Sequence, residues 1–336
     1  MRKKRLLILN QNGIGDILIR FPACRWLCSK PEFDIWMAVR GQTEIELCTN
    51  ERLGSQFISL NRTSTKQLIK NIITLRRLKI DTVIGWWSFS IRKVAFFSRI
   101  IGARHFICPP SKECDYYDRK SLHKSQRNLF VASSFLEEPI PESRAGDYYF
   151  DNIDISIDKQ MIGTHQYIVI FPGSGRTEKF KRWPMPEWIK FCDLFIARNP
   201  GSKILISGSI SESVLAEEII KNVSCKDNCA IKNFCGKIPI RQVAGICKNA
   251  KFVIGGDNGG LHIANASGAK VIAIMGPTNS ALTGPINPIL IIDKKLPGTP
   301  WYSNSSKRKR RNNNPDISMQ IPAETVINEL ARLNLG

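Results

Sequence analysis

The chain has 336 residues, 43% of them hydrophobic, and a formal net charge of +20. That length suits about two domains, and the apolar content excludes a disordered chain. No apolar run reaches the ~18 residues of a membrane span, and the charge narrows the partners to nucleic acid, an anionic membrane face or an acidic substrate.

The chain opens with Met1-Arg2-Lys3-Lys4-Arg5 and the apolar run Leu6 to Leu9. That run is shorter than the ~7–15 residues of a signal peptide core. It reads as a first strand with a basic lead-in, and a cytoplasmic protein is expected. Ile17 to Leu27 reads as a helix interrupted early by Pro22, and Ile35 to Val39 as a second strand. Leu68, Ile69, Ile72 and Leu75 recur at helical spacing within Lys66 to Leu78. Thr82 to Ile84 is a short strand, and Ile91 to Ile101 a helix stopped by Gly102, a C-cap residue. His105 to Cys108 is a strand, and His123 to Phe135 a helix.

Glu138 to Thr164 is polar and turn-rich, and a domain boundary is expected near its end. A second βα series follows. Its strands are Tyr167 to Phe171, Lys203 to Ser207, Phe252 to Ile254 and Val271 to Ile274. Its helices are Pro186 to Ala197, Ser213 to Val223, Ile240 to Lys248 and the amphipathic Ala323 to Leu333. The expected domains are residues 1–160 and 161–320, with a C-terminal helix over 321–336. Alternating strands and helices in two blocks predict an α/β protein of two Rossmann-like, doubly wound parallel-sheet domains facing a cleft. Ligands of such sheets bind beyond the carboxyl ends of the strands.

Several of the ten cysteines (Cys24, Cys28, Cys192 and Cys247) sit in apolar segments, where a reduced thiol serves as a small hydrophobe. Cys225, Cys229 and Cys235 lack the close pair expected of a zinc site. The run Lys307-Arg308-Lys309-Arg310-Arg311 lies between serine and asparagine stretches without interleaved aromatics. It reads either as a solvated loop or as a contact for an anionic membrane, and no specific nucleic-acid partner is expected.

Three motifs follow strand ends. The first is Asn10-Gln11-Asn12-Gly13-Ile14-Gly15-Asp16. The third glycine of a dinucleotide fingerprint would fall at Leu18, so a nicotinamide enzyme is the weakest reading. Asp16 is either a helix N-cap or a general base at the sheet edge. The second motif is Phe171-Pro172-Gly173-Ser174-Gly175-Arg176, followed by Lys179-Phe180-Lys181-Arg182-Trp183-Pro184. Backbone and hydroxyl donors with a lysine suit a diphosphate. The third is Phe252-Val253-Ile254-Gly255-Gly256-Asp257-Asn258-Gly259-Gly260-Leu261-His262-Ile263-Ala264. Strand, glycine turn and helix start make an anion site, with Asp257 at or just before the N-cap and His262 one turn in. The bland alternative is an ordinary connection in which Asp257 only caps a helix. Gly276-Pro277-Thr278-Asn279 closes the next strand beside the same region.

Gly15-Asp16 with Pro22, the segments around Gly173-Ser174 and Lys181-Arg182-Trp183-Pro184, and Gly256-Asp257-Asn258-Gly259-Gly260-Leu261-His262 together resemble the signatures of glycosyltransferase family nine, the heptosyltransferases of lipopolysaccharide core synthesis. Gly276-Pro277-Thr278 and Thr283-Gly284-Pro285 extend the resemblance, which runs from Leu6 to about Pro285. It implies a GT-B architecture and an inverting, metal-independent transfer with no cofactor. The donor, a nucleotide sugar such as ADP-heptose, would lie mainly on the C-terminal domain. An anionic glycolipid acceptor would lie on the N-terminal domain, at the inner face of a membrane met peripherally. By the same resemblance Asp16 is the base and Lys181 the lysine on the donor phosphates. Asp257 lies near the sugar hydroxyls, and Asn258, Gly259 and His262 form the diphosphate turn. Gly15, Gly173, Ser174, Gly175 and Gly260 line the substrate loops, Glu212 takes the ribose, and Ile238 packs on the base. Two departures set the chain apart: Gly85-Trp86-Trp87 replaces an Asp and Gln-Gly, and the loop Leu296 to Pro315 is long, basic and without cysteine. A nucleotide-sugar binder without transfer activity and a basic nucleic-acid binder are the alternative functions.

Overall fold

The computed structural model describes residues 2–335 apart from 61–63, 88, 110–121, 144–146, 157–161, 163–165, 176, 225–229 and 301–315. Cys225, Cys229, Arg176 and the Lys307 to Arg311 run therefore lie outside the described residues. The chain forms two compact units, Met1–Asn152 and Ile153–Gly336.

In the first unit, strands β1 (Lys4–Asn10), β2 (Phe33–Val39), β3 (Gln56–Ser59), β4 (Thr82–Ile84) and β5 (His105–Ile107) pair in parallel in the order β3-β2-β1-β4-β5. A central parallel strand is covered on both faces, so β1 reads as a continuous apolar run and not as an alternation. Leu7 and Leu9 pack with Leu75, Val94 and Ile101 on one side. Leu6 and Ile8, equally buried, point to the other. The first side is covered by α4 (Thr65–Leu78) and α5 (Ile91–Ile101). The Ser64 hydroxyl caps α4 by accepting from the Gln67 amide, and α5 stops at Gly102, whose φ is 75°. The break anticipated at Pro22 resolves into two helices, α1 (Ile14–Ile19) and α2 (Phe21–Cys28). Pro22 sits in the first turn of α2, where its missing N–H leaves no bond unmade. The α3 helix (Gln42–Asn50) and the edge strand β3 carry too little apolar periodicity to stand out in the sequence. The α6 helix (Lys124–Leu136) packs on α2.

The second unit is a six-stranded parallel sheet in the order β11-β10-β9-β6-β7-β8. Its strands are β6 (Tyr167–Phe171), β7 (Lys203–Ile206), β8 (Ile231–Asn233), β9 (Val253–Gly255), β10 (Val271–Met275) and β11 (Leu290–Asp293). The helices are α7 (Met185–Arg198), α8 (Ser213–Asn222), α9 (Ile240–Asn249), α10 (Gly259–Ala266), the short α11 (Ser280–Thr283) and α12 (Ala323–Arg332). The core is aromatic. Trp183 and Trp188 meet edge to face with ring centres 4.8 Å apart, and Phe191, Phe195 and Phe252 continue the stack. Such pairs add about 0.5–1.5 kcal/mol each beyond the area they bury. The Trp183 indole N–H donates to the Ile321 carbonyl at 2.8 Å, tying the segment before α12 to this core, and α12 packs on α7.

Both sheets reverse their strand order once, between β1 and β4 in the first unit and between β6 and β9 in the second. At such a switch point two loops leave in opposite directions and open a crevice at the carboxyl edge. The cysteines described are reduced and largely buried, with burial pushing the Cys24 and Cys235 thiols up to about 12. Among the described residues no helix is long and apolar enough to cross a membrane.

Candidate functional site

The switch point of the C-terminal unit is built from the second and third sequence motifs. The loop after β6 carries Gly173 and Ser174, and a 3-10 turn over Lys179–Lys181 returns Lys181 beneath it. The loop after β9 carries Asp257 and leads into α10. Asn258, not Asp257, is the N-cap: its side-chain oxygen accepts from the Leu261 amide at 3.0 Å. The same side chain donates to the carbonyls of Phe171 (3.1 Å) and Gly173 (2.9 Å). One asparagine thus starts the helix and fastens the two loops together. Gly260 completes the fit. A Cβ there would lie 2.1 Å from Phe171 Cδ1, so only glycine lets the first turn of α10 rest on that ring.

With the cap assigned to Asn258, the Asp257 carboxylate is left for other work. Its Oδ2 accepts from Lys181 Nζ at 3.0 Å, and its Oδ1 lies 3.9 Å from His262 Nε2. Lys181 Nζ also lies 3.1 Å from Glu178 Oε2. Lys181 and His262 are buried. Burial alone would raise the Asp257 carboxyl, but Lys181 and then His262 overcome it and hold it well below the usual carboxylate range. Burial would likewise lower the Lys181 ammonium, and Asp257 and then Glu178 reverse that and raise it. The result is a desolvated, permanently charged lysine beside a helix start whose first amides are free of intrahelical partners. An ammonium and a helix start are the kinds of group able to stabilise negative charge on a phosphate.

The other residues expected on the donor side lie in the same unit. Ser174 Oγ donates to the Glu178 carbonyl at 3.0 Å and accepts from Arg182 Nε at 3.1 Å. Gly175 is exposed next to it, and Gly259 opens α10. Glu212 closes a capping box: its Oε2 accepts from the Ser209 amide and hydroxyl, each at 2.7 Å. Its Oε1 lies against Gly173, where a Cβ would come within 1.5 Å of it. Ile238 is half-buried in the connection from β8 to α9.

In the N-terminal unit Gly13 is the N-cap of α1, so Asp16 is not a cap. Asp16 stands in the first turn beside Gly15, partly exposed at the carboxyl edge next to β1, with Lys124 Nζ 3.9 Å away. Near it lies a buried polar group formed by Asn10, which opens the first motif, with Arg20 and Trp86. Asn10 Oδ1, at the end of β1, accepts from Arg20 Nη1 (3.1 Å) and from the Trp86 indole N–H (3.2 Å). The Arg20 guanidinium stands 5.7 Å from the ring centres of both Trp86 and Phe89. Burial lowers the Arg20 pKa, and the Asp16 charge works against that. At the departure Gly85-Trp86-Trp87, Trp86 is fully buried against Asn10 and Arg20, and Trp87 donates to the Arg127 carbonyl at 2.7 Å. Arg20 follows Asp16 at i+4 and Glu178 precedes Lys181 at i−3, spacings that carry a signal only once helical turns are known there.

A family model, glycosyltransferase family 9 (heptosyltransferase), matches residues 110–307. That is more than half of the chain. The chain belongs to glycosyltransferase family 9. Among curated relatives of this family, lipopolysaccharide heptosyltransferase 1 of Campylobacter coli is 29% identical over 231 residues, covering 62% of this chain and 66% of that protein. Lipooligosaccharide heptosyltransferase 2 of Haemophilus influenzae is 26% identical over 140 residues, covering 41% of this chain and 39% of that one. The chain thus matches from about two-fifths to about two-thirds of the length of these two. Solved structures extend the likeness of fold to the whole chain. Escherichia coli ADP-heptose LPS heptosyltransferase II aligns over 98% of both chains with TM-score 0.74 at 17% identity. A family 9 glycosyltransferase from Veillonella parvula aligns over 100% of this chain and 98% of its own with TM-score 0.76 at 16% identity. The GT-B type of fold with two doubly wound units, expected from the motifs, is the fold of this family member.

Proposed function

We propose that this family 9 protein is an inverting glycosyltransferase that moves a sugar, heptose from ADP-heptose, to an anionic acceptor of the lipopolysaccharide-core type, without a metal. The observation that carries the reading is the buried Lys181–Asp257–His262 cluster at the start of α10, set at the switch point of its sheet. The donor and acceptor classes follow the names of the relatives, which are heptosyltransferases of lipopolysaccharide and lipooligosaccharide.

In this reading the donor diphosphate lies over the first turn of α10. Lys181, His262 and the helix amides hold the charge that builds on the leaving phosphate oxygen. Asp257, fixed by Lys181, accepts from sugar hydroxyls. Glu212 presents its remaining lone pairs to the ribose, and Ile238 packs on the base. Asp16 takes the proton of the acceptor hydroxyl as that oxygen bonds to the anomeric carbon, and the bond from the anomeric carbon to the diphosphate breaks. The diphosphate leaves as the nucleotide, and the anomeric configuration inverts. A lipid-linked acceptor places the reaction at the cytoplasmic face of a membrane.

Thermal-shift titration with ADP-heptose, ADP, other nucleotide sugars, NAD and a short DNA duplex tests the donor. A ligand of the native state stabilises by about 2.7 kcal/mol at a hundred times its Kd, so ADP-heptose is expected to raise Tm and to lose that effect in Asp257→Ala. Stabilisation by another nucleotide sugar instead would replace the donor, and no response to any nucleotide sugar would overturn the reading. Asp16→Asn is expected to keep the donor-induced shift and to lower turnover by about 10²–10⁴-fold. Near-normal turnover would remove Asp16 as the base.

A further inference from the structure

The outer surface of α4 and α5 combines two features that a folded domain usually keeps apart. Four large apolar side chains are exposed there: Leu68 (42%), Ile69 (52%) and Ile73 (47%) on α4, and Phe96 (67%) on α5. Single exposed apolar residues need no explanation, but a cluster on neighbouring helices does. The second feature is charge. The α4 helix carries Lys66, Lys70, Arg76 and Arg77, α5 carries Arg92, Lys93 and Arg99, and neither contains an Asp or Glu. Isolated helices normally gain from mixed-sign neighbours at i+3 and i+4, so a single-sign surface is not explained by helix stability.

Position adds a third point. The two helices pack against each other on one face of the N-terminal sheet through Leu75, Val94 and Ile101. Helices that connect parallel strands start at the carboxyl edge of the sheet. The first turns of α4 and α5 therefore share the edge that carries Asp16. Wheel positions place Leu68, Ile72, Ile69 and Ile73 along one flank of α4, with Lys66 and Arg76 beside them. On α5, Phe96 lies opposite the buried Val94 and Ser98, between Arg92 and Lys93.

We infer that the α4–α5 face docks on an anionic phospholipid bilayer, with Leu68, Ile69, Ile73 and Phe96 entering the headgroup boundary and the surrounding lysines and arginines meeting lipid phosphates. The charge complementarity selects this occupant: a basic face with apolar projections and no carboxylate matches a negative, greasy interface. The purpose of the contact rests on the lipid-linked acceptor proposed above, but the binding itself does not. It requires neither donor nor acceptor.

The test is co-sedimentation of the full chain with vesicles of phosphatidylcholine alone or mixed with phosphatidylglycerol, in low and high salt. Binding is expected only to the anionic vesicles, and high salt weakens it. Each surface cation contributes about a factor of five. Lys66→Gln, Lys70→Gln and Arg92→Gln combined are thus expected to lower partitioning by about two orders of magnitude. Ile69→Ser with Phe96→Ser is expected to lower it at least tenfold with a small change in Tm, since Phe96 is largely and Ile69 about half exposed. Failure of the unaltered chain to bind anionic vesicles would overturn the inference. So would binding that survives both sets of changes but is lost when residues 307–311 are neutralised. Concentration-dependent dimerisation in analytical ultracentrifugation, abolished by Phe96→Ser, would assign the face to a second copy instead. None of these outcomes depends on activity, so a wrong donor or acceptor leaves the result readable.

Discussion

Replacing Lys181 with methionine keeps the length and apolar stem of the side chain and removes the ammonium. Asp257 then remains a buried carboxylate that has lost its ammonium partner at 3.0 Å, with His262 Nε2 3.9 Å away, and Glu178 loses its contact with Lys181 at 3.1 Å. Breaking one side of a buried ion pair costs about 3–5 kcal/mol, because the remaining charge is left uncompensated. The sign of the pH dependence follows from the Asp257 carboxyl. In the unaltered protein its pKa is held below the unfolded value, so its contribution is present above the usual carboxylate range and is lost only as pH falls through the depressed value. In Lys181→Met the largest remaining influence is burial, which raises the carboxyl. The charged form then opposes folding, and the deficit shrinks on acidification as Asp257 takes a proton. Native-state hydrogen exchange along a urea series, read on peptides spanning β6 and β9, measures the stability of this unit directly. The expected result is a loss of about 3–5 kcal/mol at neutral pH and a smaller one near pH ~4. Adding Asp257→Asn is expected to restore part of the loss, by up to about 3 kcal/mol of coupling. A loss below about 1 kcal/mol at neutral pH, or two strictly additive substitutions, would refute a coupled buried pair.

Two further expectations concern the scaffold under that pair. Asn258→Ala removes an N-cap and two bonds to loop carbonyls, and a loss of about 1–3 kcal/mol is expected in urea unfolding, together with weaker donor binding in titration calorimetry. Gly260→Ala drives a methyl group into the Phe171 ring, and an overpacking loss of about 1–3 kcal/mol is expected as a lower Tm. An unchanged Tm would mean that α10 does not rest on that ring.

The parts of the fold that were legible in the sequence are those whose signal is local. The run Leu6 to Leu9, the glycine stop at Gly102 and the loops after β6 and β9 each state their own geometry. Short or polar elements did not. The β8 strand is only Ile-Lys-Asn, and α3 is a helix of Gln, Thr, Glu and Asn around few apolar residues, so both depend on their neighbours for stability. The ambiguity at Asp16 and Asp257 was also not resolvable in one dimension. A carboxylate before or inside a first turn fits a cap and a reactive group alike, and only the backbone assigns the caps to Gly13 and Asn258. Arg20, Asn10 and Glu178 escaped for the same reason. Asn10 opens the first motif without a role of its own there, and the importance of all three lies in what folds against them.

The double role of Asn258 has a consequence for recombination. Its carboxamide holds the carbonyls of Phe171 and Gly173 across 87 and 85 positions of sequence while starting α10. The two signature segments are therefore one mechanical part made from distant pieces of chain. The acceptors are backbone carbonyls, so a chimera keeps the joint wherever its second segment brings an asparagine to position 258 and loses it where that position carries a side chain unable to donate to both.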